Sequence, residues 1–152
     1  MSLEKDIAQH SFRNEHQKAI RNLIYTYNWV TEKTKSIFDK EEITAQQFNI
    51  LRILRGAGKP ISTLQIRERM LDKMSDTSRI VDRLVLKGLA KKTICKIDKR
   101  LVDVSISPKG SQLLAKLDFF EKDMDAVFTN LTETEAKALN KLLDKIRNPD
   151  NK

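Results

Sequence analysis

The hydrophobic residues in the first quarter of the chain recur at steps of three and four. They lie between Ser11 and Phe38 and include Phe12, Ala19, Ile20, Leu23, Ile24, Tyr27, Val30 and Ile37. This spacing is typical of one face of an amphipathic helix. At about 1.5 Å per residue, such a helix extends for roughly 40 Å, which is more than a small domain needs for its own core. We therefore expect it to pack against something else.

Three further helices are predicted to begin at capping boxes. In each, a Ser or Thr is followed three residues later by Gln or Glu, at Thr44–Gln47, Ser62–Gln65 and Thr132–Glu135. The two side chains of this motif satisfy backbone N–H groups that the first helical turn leaves unpaired. The first of these helices is predicted to end at Gly56. A short helix follows the second, with Ser75 as its predicted N-cap and Gly88 just past its end.

The hydrophobic period changes after Gly88. Apolar Val102, Val104 and Ile106 alternate with polar residues, which is typical of a half-buried strand. Residues 91–96 form the predicted partner strand, and residues 97–100 the turn. Pro108 then suits the first position of another helix.

Two helices are predicted to complete the chain. The first is long, with apolar residues at Leu113, Leu114, Leu117, Phe120, Met124 and Phe128; the last carries Leu139, Leu142, Leu143 and Ile146. Three short helices and a hairpin between long helices describe a winged helix-turn-helix. We expect a mainly α fold with a small β-hairpin wing.

Charge is concentrated in the middle of the chain. The net charge is +8. Residues 44–110 hold 15 Lys and Arg against 6 Asp and Glu, while residues 1–43 and 111–152 are nearly neutral. An excess confined to one segment favours a polyanion-binding surface over a merely solvated one.

Composition narrows the class of protein further. No apolar run approaches the roughly 18 residues of a membrane span, and the N-terminus lacks a signal-peptide pattern. The single cysteine, Cys95, excludes an internal disulfide. A cytoplasmic protein without membrane contact is expected.

The short helix after Ser75 is the candidate DNA-recognition element. Its apolar residues fall on one side, and the other side carries small polar and basic groups suited to base edges and phosphates in a major groove. The alternative is that this polar side is an ordinary solvent-exposed helix face with no binding role. The predicted contacts are Ser75, Thr77, Ser78, Arg79 and Arg83. Contacts to the DNA backbone are predicted for Ser62, Thr63 and Lys73.

The turn of the hairpin is the second candidate, through Asp98, Lys99 and Arg100. Arginine suits a narrow minor groove, where its planar, weakly hydrated head meets enhanced negative potential. Asp98 fits beside DNA if it holds Arg100 through a side-chain pair. The alternative is an ordinary Asp-initiated turn with exposed basic residues.

The joint spacing of these segments resembles the MarR family of bacterial winged-helix regulators. Residues 98–110, DKRLVDVSISPKG, are similar to the family's wing and the helix start that follows it. Residues 82–89, DRLVLKGL, resemble the end of its recognition helix, and residues 43–48, ITAQQF, its second helix. The wing lacks the second basic residue that often follows its arginine, so it is expected to bind less tightly.

The resemblance implies a homodimeric transcriptional regulator on a pseudo-palindromic duplex, usually a repressor. Residues 1–43 and 111–152 would supply dimerisation helices, and residues 44–110 the DNA-binding domain. The family often has a pocket for small aromatic or phenolic effectors, which Tyr25, Trp29 and Phe48 would line here, although such aromatics are more often core residues.

Other chemistry finds little support in the sequence. It contains no nucleophile elbow, phosphate-binding glycine loop or HExxH motif, so no enzyme, cofactor or metal site is predicted. Cys95 lies on a predicted strand and is interpreted as structural, with a redox role left open. The competing function is a winged-helix protein-interaction module, which requires an apolar patch where the basic face is predicted.

Overall fold

The computed structural model describes residues 2–148, so the ends of the predicted segments 1–43 and 111–152 lie outside the described residues. The expected mainly helical fold with a small antiparallel sheet is confirmed. In chain order the elements are α1 (Leu3–Asp6), α2 (Glu15–Lys40), α3 (Ala45–Ala57), β1 (Ile61–Ser62), α4 (Thr63–Arg69), α5 (Thr77–Leu86), β2 (Ala90–Ile94), β3 (Val102–Ile106), α6 (Pro108–Asp118), α7 (Glu121–Asp125), a 3₁₀ turn (Ala126–Phe128) and α8 (Glu133–Arg147).

All three predicted capping boxes are present, at the starts of α3, α4 and α8. The predicted start of α2 and the predicted end of α3 were wrong. The Asn14 side chain accepts the Gln17 N–H at 2.8 Å, so α2 begins after Asn14 and not near Ser11. Helix α3 continues through Gly56, and the left-handed residue that ends it is Gly58, with φ of 64°.

Helix α5 begins one residue later than predicted. Its N-cap is Asp76, whose carboxylate accepts the Arg79 N–H at 3.2 Å, and the predicted cap Ser75 lies outside the helix. The Ser75 hydroxyl donates instead to the Asp72 carbonyl at 2.7 Å. A carboxylate and a hydroxyl in adjacent positions are both good caps, and the path of the preceding turn decides between them. Gly88, with φ of 73°, lies just past the helix end as predicted.

The sheet has three strands in the order β1-β3-β2, one more than the predicted hairpin. Ile61 pairs with Val104, and Lys92 pairs with Val104 from the other side. Strand β1 is only two residues long, so it leaves no alternating pattern in the sequence. Its pairing places the capped start of α4 beside the middle of β3.

The core lies where α3, α4, α5 and α6 meet the sheet. Its completely buried side chains are Ile50, Leu51, Ile66, Val81, Leu84, Val104, Leu114 and Leu117. Each of the predicted short helices therefore contributes its apolar face, and their polar faces remain toward solvent.

The predicted long helix after Pro108 is interrupted. Helix α6 ends at Asp118, α7 begins at Glu121, and the N–H groups of Phe119 and Phe120 bond three residues back instead of four. No glycine or proline occurs in this stretch, so the hydrophobic period runs through the break without a local signal. The chain divides at this point into two compact units, residues 2–120 and 121–148 among those described. The functional boundaries predicted at 43 and 110 remain predictions.

A tight joint connects the end of α5 to the start of α6. The Ser107 hydroxyl donates to the Gly88 carbonyl at 2.6 Å and accepts the Gly110 N–H at 3.0 Å. Gly110 lies so close to the Leu89 carbonyl that a Cβ atom there would collide with it and would stand 2.9 Å from Cγ1 of Ile106. The backbones of two elements can meet here because residue 110 has no side chain.

We predict that Gly110→Ala lowers the stability of the protein. The added methyl group must displace the backbone at Leu89 or the side chain of Ile106, and such overpacking costs about 1–3 kcal/mol. Urea unfolding followed by circular dichroism measures the change in the free energy of unfolding.

Gly56→Ala is the matched control. A Cβ atom at this helical position meets nothing within 4 Å, so the substitution should stabilise the protein by up to about 1 kcal/mol through helix propensity. Equal stabilities for the two variants would show that the close approach at Gly110 is not a constraint.

Candidate nucleic-acid interface

Helix α5 presents a polar, basic face to solvent. Val81 and Leu84 are completely buried against the core, whereas Ser78, Arg79 and Arg83 are exposed. The 3.6-residue period produces most of this division, because residues 79 and 83 fall largely opposite 81 and 84, and residue 78 lies at the edge of the exposed side. Three of the five residues predicted to read DNA thus share an exposed face.

The other two predicted residues lie differently. Thr77 is only 4% exposed, and its Oγ1 has no hydrogen-bond partner among the described residues. Its side chain is directed into the protein and away from the face of Ser78 and Arg79, which argues against a base contact. Ser75 is half-buried, and its hydroxyl is occupied by the Asp72 carbonyl.

A cleft of about 500 Å³ lies between α4 and the start of α5. It brings Thr63, a predicted backbone contact, together with Ser75 and Ser78 from the predicted recognition segment. The cleft is lined by Thr63, Leu64, Arg67, Met74, Ser75, Asp76, Thr77 and Ser78. Arg67 was missed in the sequence, although its position four residues after Thr63 places both on one helix face.

The two remaining predicted backbone contacts are engaged within the protein. The Ser62 hydroxyl caps α4 by accepting the Gln65 N–H at 3.1 Å. The Lys73 ammonium donates to the Glu68 carbonyl at the end of α4. Both groups stabilise the ends of α4. To contact a phosphate, each would have to give up its present hydrogen bond or bind both partners at once.

The wing turn contains the side-chain pair expected between Asp98 and Arg100. Nε of Arg100 donates to Oδ1 of Asp98 at 3.1 Å, and Nη2 donates to Oδ2 at 3.3 Å. The same Oδ1 accepts the backbone N–H of Arg100 at 3.0 Å, and the Leu101 N–H closes the turn on the Asp98 carbonyl at 2.9 Å. Lys99 is exposed at the same turn.

These hydrogen bonds orient the Arg100 side chain and leave it exposed to solvent. Its side chain remains 90% exposed although the fork of the guanidinium is held by Asp98. The guanidinium, and after it the backbone N–H of Arg100, lowers the pKa of the Asp98 carboxyl. Asp98 therefore remains ionised at neutral pH and acts as a positioning group for an exposed cation.

An ion pair connects the base of the wing to the candidate recognition helix. The Lys92 ammonium on β2 contacts the Asp82 carboxylate on α5. A second contact, from Lys109 Nζ to the Lys87 carbonyl at 3.0 Å, joins the start of α6 to the end of α5. The Lys92–Asp82 pair therefore links the wing to α5, and the Lys109 bond links α6 to α5.

The aromatic residues predicted to line a ligand pocket are separated. Tyr25 and Trp29 share a cleft of about 410 Å³ with Lys18, which is paired with Glu4. Phe48 does not line that cleft. It is buried in the core, with its ring centroid 5.0 Å from that of Phe38, and its role in a ligand pocket stays a prediction.

Cys95 follows β2 at the base of the wing turn. It is half-buried, and its backbone N–H extends the hairpin by donating to the Leu101 carbonyl at 2.9 Å. Among residues 2–148, no three His, Cys, Asp or Glu side chains come together as a metal site. Within the same range, no helix combines the length and apolar character needed to cross a bilayer.

We predict that Arg100→Gln raises the pKa of Asp98 toward its ordinary value, since the charged partner that stabilises the carboxylate is lost. The folded protein has a lowered pKa for Asp98, so the whole stabilisation of the wing by this pair is present at pH values above the ordinary carboxyl pKa. That contribution disappears as the pH falls through the lowered value. Carboxyl carbon chemical shifts measured against pH report both values.

Asp118 provides the internal reference for this titration. Its pKa is lowered by Arg55, which donates to Oδ2 at 2.8 Å and to Oδ1 at 3.0 Å. The substitution at Arg100 should leave the Asp118 titration unchanged. An Asp98 titration that is the same in both proteins would disprove the pairing in the wing.

Comparison with known proteins identifies the fold and its relatives. No protein-family model matches the chain. The HTH-type transcriptional regulator PecS of Dickeya dadantii (strain 3937) is 27% identical over 114 residues, which are 72% of this chain and 68% of PecS.

Solved structures agree with this relationship. A MarR transcription factor from Planctomyces limnophilus is similar with a TM-score of 0.66 and 29% identity, over 88% of this chain and 98% of its own. A cysteine-to-serine mutant of MarR from E. coli, solved with operator DNA, is similar with a TM-score of 0.78 and 24% identity, over 90% of this chain and 99% of its own. Since this fold occurs together with the wing and recognition-helix motifs described above, the chain is similar to winged-helix transcriptional regulators of the MarR family in both fold and sequence.

Proposed function

We propose that this chain is a transcriptional regulator that binds double-stranded DNA sequence-specifically as a homodimer and represses transcription by occupying a promoter. The observation that carries the proposal is that two exposed cationic elements lie on the same compact unit. These are the face of α5 with Arg79 and Arg83, and the wing with Arg100 fixed by Asp98. PecS is described as a transcriptional regulator, and the similar protein from Planctomyces limnophilus as a transcription factor.

Helix α5 suits the major groove. It is ten residues long, and its small Ser78 lets the helix approach base edges while Arg79 and Arg83 reach bases or phosphates. The cleft between α4 and α5 lies at its N-terminal end, where the exposed Arg67 is available to the adjacent DNA backbone. Recognition of the DNA base sequence is therefore assigned mainly to α5.

The wing suits the adjacent minor groove. Arginine is favoured there because a narrow groove concentrates negative potential, and Arg100 is both exposed and held in one orientation. Asp98 does not oppose binding, since its charge is already balanced by the guanidinium that it orients. The ion pair of Lys92 with Asp82 keeps the wing at a set position relative to α5.

Two apolar rows support a homodimer. On α2, Ile20, Leu23, Ile24 and Tyr27 are exposed at steps of three and four, and on α8, Leu142 and Ile146 are exposed one turn apart. Rows of this kind on long helices are typical of surfaces that are buried against another chain. In a symmetric dimer each row meets the same row of the second copy, and the dimer provides two DNA-binding units for a pseudo-palindromic site.

The effector expected from the family resemblance is assigned to the cleft beside α2. Tyr25 and Trp29 offer ring faces, and Lys18 supplies a cation whose present partner is Glu4. We propose that a small aromatic or phenolic anion binds there, competing with Glu4 for the ammonium group.

The alternative function, protein interaction without DNA binding, finds one supporting feature. Leu71 and Met74 are exposed in the connection between α4 and α5. The neighbouring face of α5 is polar and basic, however, and an apolar partner would leave it unpaired. Gel-shift assays on genomic fragments at two salt concentrations separate the two functions.

We predict a steep salt dependence of DNA affinity and a specific loss in two variants. A dimer that neutralises about 8–12 phosphates has a slope of log K against log salt of roughly −7 to −11, at −0.9 per phosphate.

Arg100→Ala should weaken binding and reduce the magnitude of that slope by about 2, one contact in each half-site. Arg79→Ala should cost about 1–3 kcal/mol and also relax sequence preference. Fluorescence anisotropy on operator and scrambled duplexes measures both effects.

Lys141→Ala is the control for charge loss. Lys141 is exposed on α8, outside the basic segment, so its removal should change affinity little. Unchanged operator affinity in Arg100→Ala would disprove the wing contact. An equal loss on all sequences in Arg79→Ala would reduce that residue to a phosphate contact.

We predict that Ile24→Glu and Leu142→Glu each yield a folded monomer. Both side chains are exposed in the single chain, so a charge there is tolerated until a second copy must cover it. Sedimentation equilibrium measures the association, and Leu86→Glu, which alters an exposed residue of α5, should remain a dimer. A wild-type protein that is monomeric at all concentrations would contradict the dimer.

A further inference from the structure

The tip of the wing carries an isoleucine that is almost entirely in water. Ile97 is 98% exposed, the highest value among the exposed large hydrophobic side chains of the described residues. It immediately precedes Asp98, whose carboxylate holds Arg100. An apolar side chain in this position gains nothing from the core, and it adds unfavourable hydration to the free protein.

The backbone around Ile97 is firmly held. The Leu101 N–H bonds to the Asp98 carbonyl, the Arg100 N–H bonds to the Asp98 carboxylate, and the Cys95 N–H bonds to the Leu101 carbonyl. Ile97 lies within the loop that these bonds close. A β-branched side chain has few rotamers, so Ile97 loses little conformational entropy on contact with a partner.

The charges around Ile97 indicate which partner it meets. Residues 91–100 hold five Lys and Arg and one Asp, and Lys96, Lys99 and Arg100 are exposed beside it. An apolar protein surface would leave these cations without counter-charges. A duplex groove offers phosphates on both sides and base faces between them, and therefore satisfies the cations and the isoleucine together.

The exposed apolar rows of α2 and α8 lie elsewhere in the chain, on helices assigned to the dimer. Ile97 is instead continuous with the proposed DNA surface through Asp98 and Arg100. Proteins that enter the minor groove frequently place an Ile, Leu, Phe or Met between base steps, which partly unstacks them and kinks the duplex.

We propose that Ile97 is an apolar wedge that enters the minor groove beside Arg100 and opens one base step in each half-site. The inference rests on the proposed function, because it requires that the wing lies in a minor groove. Its consequence is a second source of specificity. Pyrimidine–purine steps such as TA and CA unstack most easily, so they should be preferred under the wing although no hydrogen bond reads them.

The test uses a duplex selected from a randomised library by the full-length wild-type protein. Hydroxyl-radical footprints of wild type and Arg100→Ala locate the wing, and 2-aminopurine is then placed in turn at each step beneath it. Wild-type protein should raise the 2-aminopurine fluorescence at one step, since unstacking relieves its quenching. Ile97→Thr keeps the β-branch and similar size but removes apolar character. It should abolish that rise and weaken binding about 10-fold, which corresponds to a partial loss of apolar burial at the two isoleucines of the dimer.

Ile94→Thr is the matched control. Ile94 is an exposed isoleucine at the end of β2 in the same hairpin, three residues from Ile97, and it should retain both the fluorescence rise and the affinity. Equal thermal melting of both variants and wild type verifies that the wing is intact.

The outcomes separate the wedge from DNA binding itself. Salt-sensitive binding by wild type without a fluorescence rise at any step, or with an equal rise for Ile97→Thr, overturns the wedge and leaves the regulator intact. Weaker binding by Ile97→Thr without unstacking in wild type also overturns it, because the contact is then only superficial. If no selected duplex binds in a salt-dependent manner, both the proposed function and the wedge are wrong.

Discussion

The structure depends on the joint where the end of α5, the end of β3 and the start of α6 meet. One hydroxyl, on Ser107, donates to the Gly88 carbonyl and accepts the Gly110 N–H, while the Ser107 N–H bonds to the Leu89 carbonyl at 3.1 Å. Three elements are thereby held by one residue, and Gly110 allows the backbones to touch. Because the wing extends from β3 and the candidate reading face lies on α5, their relative position is set at this joint, away from the proposed DNA-binding surface.

Acidic residues within the basic segment serve to position the elements around them. Asp76 caps α5, Asp82 contacts Lys92 on β2, and Asp98 holds Arg100 in the wing turn. Each carboxylate is engaged locally and sets geometry, while the segment still holds 15 Lys and Arg against 6 Asp and Glu. Exposed ion pairs contribute little stability in isolation. Their importance here is orientation, since an arginine held in one direction loses less entropy when it enters a narrow groove.

Local patterns predicted much of the fold, and their failures have identifiable causes. The capping boxes and the left-handed Gly88 were correct because they depend on hydrogen bonds within one turn and on the backbone freedom of a single residue. The choice of Asp76 over Ser75, and of Gly58 over Gly56, depended on which of two suitable residues the tertiary path brings into place. Strand β1 and the break after Asp118 left no local signal, since two residues show no period and the apolar spacing continues through residues 119–120.

The sequence by itself determined the class of fold, the basic segment and the turn in which Asp98 meets Arg100, because periodicity, charge and short-range hydrogen bonding are all local properties. Tertiary packing decided which of the predicted residues are presented to a partner. It buried Thr77 and Phe48, left Ser78, Arg79 and Arg83 in solvent, added Arg67 to the cleft with Thr63, and placed Ile97 at the tip of the wing. Exposure is a relation between distant segments, and a residue's own neighbours in the chain do not fix it.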